Sequence, residues 1–499
     1  MFNKNLPLRT TLVAAATMGL WLGGCTVGPN FHPPQVAMPK HWSGGNTTGT
    51  TTASTHPATV AATQPAAKPQ SIITTKRAHL ATWWTNFHDP ELTALIQQAA
   101  TRNLTILQAQ VAIRQARYAR DIAAANLGPF VSANASYQRS GTSNNLTKAG
   151  GTRSTGNMFQ SGLNGSWELD IFGGVKRSVE AANDNLAAAD ENSHTVMITL
   201  LSEVATDYIT LRGVQQQLFV ARTNIHLQQQ TVTLTRRQFQ NGLNTELALA
   251  DAESQLATTE SQIAPLQTQQ QQLIYALSVL LGQPPAALER ELSTPRPIPP
   301  VPPSVPIGLP AQLLLRRPDV RTAESQLAAA TAEIGVATAE LYPTFVINGN
   351  LGFSSQSAAN WFDSNSLNWG IGPSVSWAIF SSGQIESTIH QNEAIRDEYY
   401  LAYRQSVLTA LQQVDSAIAA YTHEQEHEKA LQAAVKASQQ ATKLSLELYK
   451  AGLTDFLNVL QAQQSLYAAQ NSLVLSKLAL SNDLVSLYQA LGGGWHRQK

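Results

Sequence analysis

Apolar residues along this chain recur with two different periods. Between Val175 and Asn241 they fall at every seventh position, Val204, Leu211, Leu218, Ile225, Val232 and Phe239, with a second stripe at Val220, Leu227 and Leu234. No proline and a single glycine, Gly213, interrupt this stretch, so it predicts one helix of about 100 Å at 1.5 Å per residue. The two stripes lie two residues apart, roughly 200° around the helix. Opposed seams suit a helix held between two neighbours, whereas a helix on a globular core needs only one. A second uninterrupted stretch, 384–451, keeps the first stripe at Val414, Tyr421, Val435 and Tyr449, with Glu428 and Thr442 breaking it.

Each long helix is expected to run from 175 to 241 or from 384 to 451 and to stop at a glycine, Gly242 or Gly452, in a left-handed conformation. The chain then turns back into return helices at 245–281 and 455–491, each about 55 Å long. Something must fill the remaining length. The Ala-rich segments Leu104–Asn126 and Asp319–Glu340, about 35 Å each, would do so if stacked end to end on the return helices.

Elsewhere the period is two. Val131, Ala133, Ala135 and Tyr137 alternate with Ser132, Asn134 and Ser136, and Leu163, Gly165, Trp167 and Leu169 alternate with Asn164, Ser166, Glu168 and Asp170. Phe345, Ile347, Leu351 and Phe353 face away from Asn348 and Asn350, as Trp369, Ile371, Val375 and Trp377 do from Asn368, Ser374 and Ser376. Four strands follow, at 129–138, 160–170, 343–353 and 367–379. A soluble sheet on a helical core would be covered on its apolar face. Strands of this length with one face polar throughout also suit a membrane barrel with a wet lumen. Pro373 counts against a regular central strand. Four strands cannot close a barrel, and lipid does not tolerate open sheet edges, so protomers must associate. Eight strands from a dimer and twelve from a trimer satisfy that argument equally.

The chain also contains itself twice. F-Q-N-G-L-N-T-E-L from Phe239 returns 210 positions later as Y-K-A-G-L-T-D-F-L from Tyr449, and the same offset carries Trp167 onto Trp377 and Leu281-Gly282 onto Leu491-Gly492. A register of 214 relates Leu127-Gly128-Pro129 to Leu341-Tyr342-Pro343. Repeat one is assigned to 83–294 and repeat two to 316–492, giving two similar half-structures rather than a solenoid. The Pro-rich linker 295–315 between them is expected to be extended and stiff, and 493–499 is a short tail.

Composition adds less. Lys plus Arg equals Asp plus Glu at 33 each, and charged residues make up 13% of the chain, which argues against nucleic acid as a partner. The N-terminus is more informative. Lys4 and Arg9 precede an apolar run, Leu12–Leu22, that reads as a signal peptide over 1–24. It ends at Leu22-Gly23-Gly24-Cys25, and Cys25 is the one cysteine of the chain, so no disulfide competes for it. The sequence resembles the lipobox of bacterial lipoproteins, which implies lipid on Cys25. Thr26, where an Asp would favour retention at the inner membrane, implies the outer membrane. Within 25–82 a Thr/Ala/Pro-rich stretch from Ser43 to about Thr75 reads as a disordered tether.

Taken with these patterns, C-T-V-G-P-N-F from Cys25, W-W-T-N-F-H-D-P-E-L from Trp83, R-R-P-D-V-R-T-A-E from Arg316, S-W-A-I-F-S-S-G from Ser376 and L-G-G-G-W from Leu491 resemble the outer-membrane factors of the TolC, OprM and NodT type. The resemblance spans nearly the whole mature chain. It implies a mixed α and β membrane fold: a homotrimer with a twelve-stranded barrel in the outer membrane, continued by an α-helical barrel across the periplasm. It also implies passive efflux of small molecules, including antibiotics, through a tripartite assembly with a periplasmic adaptor and an inner-membrane transporter of the resistance-nodulation-division class. No cofactor and no catalysis are implied, and no phosphate-binding loop of the Gly-Lys-Ser/Thr kind occurs.

The resemblance assigns roles to particular residues. The helical tips, Gly242-Leu243-Asn244-Thr245 and Gly452-Leu453-Thr454, would meet the adaptor. The constriction would fall at Leu457, Asn458 and Gln461, with Asp455 nearby. Such channels often carry acids where Asn458 or Gln461 stand here, so this gate is expected to rest on apolar packing and amide hydrogen bonds. From the residues alone, plain interhelical packing is the favoured account of Leu457, and only the resemblance places it at the constriction.

Two other readings stay open at this stage. His423-Glu424-Gln425-Glu426-His427 fits the zinc-protease pattern H-E-x-x-H, but one continuous helix would place Glu447 about 30 Å from His427, and a solvated charged stretch is the plainer account. A lipid-anchored periplasmic coiled-coil scaffold without a pore, or an outer-membrane component of a protein secretion system, would share the helices but not the need for alternating strands.

Overall fold

The computed structural model describes residues 26–43, 71–74, 80–143, 155–310, 313 and 316–495. The signal segment 1–24, Cys25, most of the tether and the end of the tail lie outside the described residues. In chain order the elements are β1 (Ile72–Thr74), α1 (Pro90–Arg102), α2 (Leu104–Ala125), β2 (Phe130–Gly141), β3 (Thr155–Leu169), α3 (Gly174–Gln240), α4 (Glu246–Glu260), α5 (Ile263–Leu280) and α6 (Glu289–Leu292). There follow β4 (Ser304–Pro306), α7 (Pro318–Ala339), β5 (Thr344–Ser355), β6 (Leu367–Ser376), α8 (Gln384–Lys450) and α9 (Phe456–Ala490). The chain divides into two compact units. One combines 1–35, 112–190 and 322–404, and the other 36–111, 191–321 and 405–499. Each unit therefore draws on both sequence repeats.

The first unit holds an antiparallel four-stranded sheet in the order β2-β3-β5-β6. Its register aligns the alternation of all four strands. Ala133, Leu163, Leu351 and Trp369 lie across from one another on one face, while Ser132, Asn164, Asn350 and Gly370 do so on the other. A one-residue slip in any strand would mix the faces. The polar face is knitted by side chains, with Asn164 Nδ2 donating to Asn134 Oδ1 at 2.8 Å and Asn348 Nδ2 to Ser374 Oγ at 2.8 Å. The apolar face is uncovered within the protomer: Val131, Leu163, Leu351, Trp369 and Ile371 are all exposed. Pro373 sits on β6, an edge strand of this sheet, where a missing N–H is tolerated.

The second unit explains the heptads. Val204, Leu211, Leu218 and Val232 on α3 are buried, as are Val414, Tyr421, Val435 and Tyr449 on α8. Glu428 and Thr442, the polar interruptions, are buried in the same seam. Thr442 Oγ1 donates to the Ala462 carbonyl at 3.0 Å, whereas Glu428 is satisfied at one oxygen only, Oε1 accepting from Gln432 Nε2 at 2.9 Å. Along the second stripe of α3, Val220 is buried but Leu227 is exposed.

Short and return helices meet end to end. Asn103 Nδ2 donates to the Leu280 carbonyl at the end of α5 (2.7 Å), while its Oδ1 accepts from Thr105 N at the start of α2 (2.7 Å). In repeat two, Arg317 Nη1 donates to the Ala490 carbonyl (3.0 Å) and Arg316 Nε to that of Gly492 (3.2 Å), joining the end of α9 to the start of α7.

Two expectations need correction. The first return helix is not continuous over 245–281 but breaks between Glu260 and Ile263. Pro265 is the cause, since its ring cannot accept the carbonyl of Ser261 one turn earlier and it has no N–H to donate. Leu475 occupies the equivalent place in repeat two, and α9 runs unbroken. The tether from Ser43 to Thr75 is also ordered at its end: residues 72–74 form β1, which pairs in parallel with β4 of the Pro-rich linker. Trp42, buried, donates from Nε1 to the Gly308 carbonyl at 3.1 Å, so the chain is tied to the linker on both sides of 44–70.

Candidate functional site

The two helical tips are built alike because the repeat preserves their caps. Gly242 and Gly452 adopt φ of +69° and +71°. At the first tip Leu243 N donates to the Gln238 carbonyl (2.8 Å) and Gly242 N to that of Phe239 (2.9 Å). Leu453 N to Leu448 O (2.9 Å) and Gly452 N to Tyr449 O (3.1 Å) repeat the pattern at the second. A Cβ on either glycine would meet nothing within 4 Å, so the demand is for the left-handed backbone and not for space.

Beyond the cap the copies diverge. Thr245 Oγ1 accepts from Ala248 N at 3.3 Å and caps α4. Asp455 holds the same position before α9, is exposed, and makes no side-chain cap bond. Thr454 Oγ1 instead accepts from Asn458 Nδ2 at 2.7 Å.

A polar and apolar lock joins the two tips. Buried Tyr449 shares a hydrogen bond with Thr235 Oγ1 (3.0 Å) and accepts from Asn244 Nδ2 (2.5 Å). Burial raises the pKa of its hydroxyl, so it stays a neutral phenol. Tyr449 also belongs to a buried apolar cluster with Val232, Ala248, Ala252, Phe456 and Val459. This lock was missed in the sequence, where Tyr449 counted only as a heptad residue. Asn244 is thus both a tip residue and a tie between repeats.

Leu457, Asn458 and Gln461 share one exposed face of α9. Leu457 is 57% exposed, and Leu243, Leu453 and Leu247 reach 77%, 74% and 70%. Two leucines from each copy therefore crown this end. Leu247, absent from the sequence-derived set, lies 210 positions before Leu457, and applying the repeat offset to Leu457 finds it.

His423 and His427 are exposed on α8, each beside a carboxylate one turn away, Glu426 at 3.9 Å and Glu424 at 3.1 Å. Glu447 lies further along the same continuous helix. Among the described residues no group of three His, Cys, Asp or Glu side chains is placed to hold a metal ion.

The sequence motifs mostly hold the scaffold. From the Trp83 motif, Trp83 and Phe87 are buried, Asp89 caps α1, and Glu91 pairs with fully buried Arg212 of α3 at 2.8 Å. From the Arg316 motif, Arg321 pairs with Glu191 of α3 at 2.7 Å. Trp495, from the C-terminal motif, stacks on His194 at 4.3 Å.

At the helix-side end of the sheet, Trp167 Nε1 donates to the Leu127 carbonyl in the turn from α2 into β2, and Trp377 Nε1 to the Leu341 carbonyl in the turn from α7 into β5, each at 3.0 Å. Cys25 lies outside the described residues, but the chain that follows it is docked here. Val27 N donates to the Phe172 carbonyl (3.1 Å), and Arg177 Nε and Nη2 donate to the Val27 carbonyl (3.1 Å) and to Asn30 Oδ1 (2.7 Å).

The family model described as outer membrane efflux protein matches residues 95–283 and 309–493, one stretch in each repeat. Nodulation protein T of Rhizobium leguminosarum bv. trifolii is 29% identical over 98% of this chain and 98% of its own length. The pyoverdine export outer membrane protein OpmQ of Pseudomonas aeruginosa is 31% identical over 84% of this chain and 88% of its own. Among solved structures, the outer-membrane channel OprN superposes with a TM-score of 0.84 at 31% identity, covering 94% of this chain and all of that one. An uncovered apolar sheet face, uninterrupted paired helices and a duplicated chain are what such a channel requires, and the protein belongs to the outer membrane efflux protein family.

Proposed function

We propose that this outer-membrane efflux channel is the exit duct of a tripartite pump, working as a lipid-anchored homotrimer coupled to a periplasmic adaptor and an inner-membrane transporter. The carrying observation is the sheet register, which sets Ser132, Asn164 and Asn350 side by side on one face and Ala133, Leu163, Leu351 and Trp369 on the other, uncovered one. Edge strands β2 and β6 are open in the protomer, and an open edge in lipid must be paired. Three protomers would supply the twelve strands of a closed barrel. Docking of residues 26–30 at the turn into α3 supports lipid on Cys25, since it holds the chain one residue from that thiol at the end of the strands.

The lumen would be lined by amides and hydroxyls and would pass small molecules without selecting strongly among them. Transport is passive, and the protein is no enzyme. The exposed tip leucines Leu243 and Leu453, with Asn244, Thr245 and Thr454 around them, form the adaptor-docking surface. Leu457, Asn458 and Gln461, with Asp455 beside them, form the periplasmic gate. Around a threefold axis Leu457 would make an apolar ring and the two amides a hydrogen-bonded one, without the repulsion that three carboxylates would bring.

Single-channel conductance in planar bilayers tests this reading. Wild type should open rarely and to a small conductance, and Leu457→Ala should open often and to a large one. Equal traces from the two would remove Leu457 from the gate. Silence from both, with the oligomer intact, would favour a poreless scaffold.

A further inference from the structure

Small side chains meet where the end of α9 joins the start of α7. Ser416, Ala417 and Ala420 on α8, with Ser486 and Ala490 on α9, leave a cavity of about 550 Å³. Ile198 of α3 closes it on one side, and Arg317 and Asp319 at the start of α7 on another. All of these residues belong to the same compact unit. A volume of this size suits a small organic molecule.

The lining has an apolar part and a charged part. Ile198, Ala417 and Ala420 offer carbon, whereas Asp483, Ser486 and Gln489 of α9 offer oxygens. Two of the three charges cancel, because Arg317 Nε donates to Asp319 Oδ1 at 2.9 Å. The rest of that guanidinium is held by the Ala490 carbonyl (3.0 Å) and Gln413 Oε1 (2.8 Å). Asp483 is left over, with no hydrogen bond or ion pair to any described residue. Burial, and then the carboxylate of Glu424, raise its pKa. Glu424 lies one helical turn beyond Ala420 on α8 and accepts from Ser476 Oγ, so it adds negative charge beside Asp483. His427, 3.1 Å from Glu424, offsets that charge only when protonated. Repeat one lacks the feature. Leu273 stands 210 positions before Asp483, so packing of a return helix does not itself demand an acid there.

We propose that this cavity binds a small organic cation, an aromatic or alkyl body with an ammonium or amidinium head, and that Asp483 is its counter-ion. An anion would meet an unpaired carboxylate and a guanidinium that is already bonded. A metal ion would find one free carboxylate, and among the described residues no group of three ligands exists to hold it. An amphipathic cation fits both parts of the lining, and its charge relieves the cost of keeping Asp483 ionised away from water. That the bound cation is a molecule on its way out rests on the duct reading, whereas the cavity and its charge do not.

Ethidium, a planar aromatic cation, is titrated into the purified oligomer in mild detergent and followed by fluorescence anisotropy. Saturable binding is expected, weakened about tenfold or more by Asp483→Asn. Ala420→Phe, which keeps the charge and fills the space, should weaken it as well. Glu260→Gln, at an exposed acid outside the lining, should leave it unchanged. In wild type, benzamidine should displace the dye and benzoate, the same ring with the opposite charge, should not. Loss in only one of the first two variants would overturn the proposal, since an unaffected Asp483→Asn removes the counter-ion and an unaffected Ala420→Phe removes the cavity. Equal displacement by benzoate would overturn the choice of a cation, and this wild-type result decides alone if a variant fails to assemble. No saturable binding, or binding that survives both substitutions, would overturn the site itself. The bilayer conductance of Leu457→Ala is read separately: silence there with ethidium binding intact would remove the duct reading and keep the cation site.

Discussion

At the scale of single residues, charge buried in the helical unit sets the energetics. Glu91 and Arg212 are both buried and face each other at 2.8 Å, with Gln215 and the Thr294 carbonyl also on the guanidinium. Removing one partner strands the other, which typically costs about 3 kcal/mol or more. Glu91→Gln should therefore lower the thermal midpoint of the purified protein markedly, and adding Arg212→Met should recover part of the loss. An unchanged midpoint in the single variant would show that Gln215, the Thr294 carbonyl and water already satisfy the guanidinium. Asp207 behaves in the opposite sense. Burial, reinforced by the carboxylate of Glu203, pushes its pKa up from 3.8 to about 6. The folded protein thus binds this proton more tightly than the unfolded chain, and folding is opposed by Asp207 above pH 6 and relieved as pH falls toward 4. Asp207→Asn should raise the thermal midpoint at pH 8 and leave it unchanged near pH 4. A gain of equal size at both values would exclude ionisation as the cause.

Elements show which local signals survive folding. The heptad stripes predicted both long helices, and Gly242 and Gly452 marked their ends, because a period of seven and a left-handed cap are properties of the backbone itself. Pro265 carried an equally local signal for the break between α4 and α5. Glu428 and Thr442 read as defects in a seam, yet both are buried in it, with one oxygen of Glu428 bonded by Gln432 on the next turn and Thr442 donating to a carbonyl of a neighbouring helix. In the sheet, Gly162 of β3 and Gly352 of β5 face each other on the polar side. A Cβ on Gly352 would come within 2.4 Å of the Ser161 carbonyl oxygen and 2.9 Å of the Gly162 Cα, both backbone atoms that cannot step aside. Gly352→Val should force β3 and β5 apart and abolish assembly in the membrane while leaving the helical circular dichroism largely intact. Normal assembly of this variant would show that the two strands can separate at that point without loss.

For the whole molecule, the decisive quantity is the area left uncovered. The apolar sheet face, the open edges of β2 and β6, and Leu227 on the second stripe of α3 are unpartnered within the protomer. In the assembly proposed above, lipid would cover the first and further copies of the chain would pair the second. Unheated protein in mild detergent should migrate on gels as an oligomer that collapses to the protomer on boiling. Migration as a protomer under both conditions would contradict a closed barrel.

The sequence by itself determined the periodic and duplicated features: two long helices, four alternating strands, matched glycine caps and the family motifs, all set by spacing along one chain. Tertiary structure decided what spacing cannot encode. It gave Asn244, Thr235 and Tyr449 one shared hydrogen-bond network across more than two hundred residues of sequence, paired 72–74 with 304–306, and set Asp483 in a cavity walled by four separate helices. Each of these depends on which distant segment arrives at a given surface, and a residue's own neighbours in sequence carry no record of that.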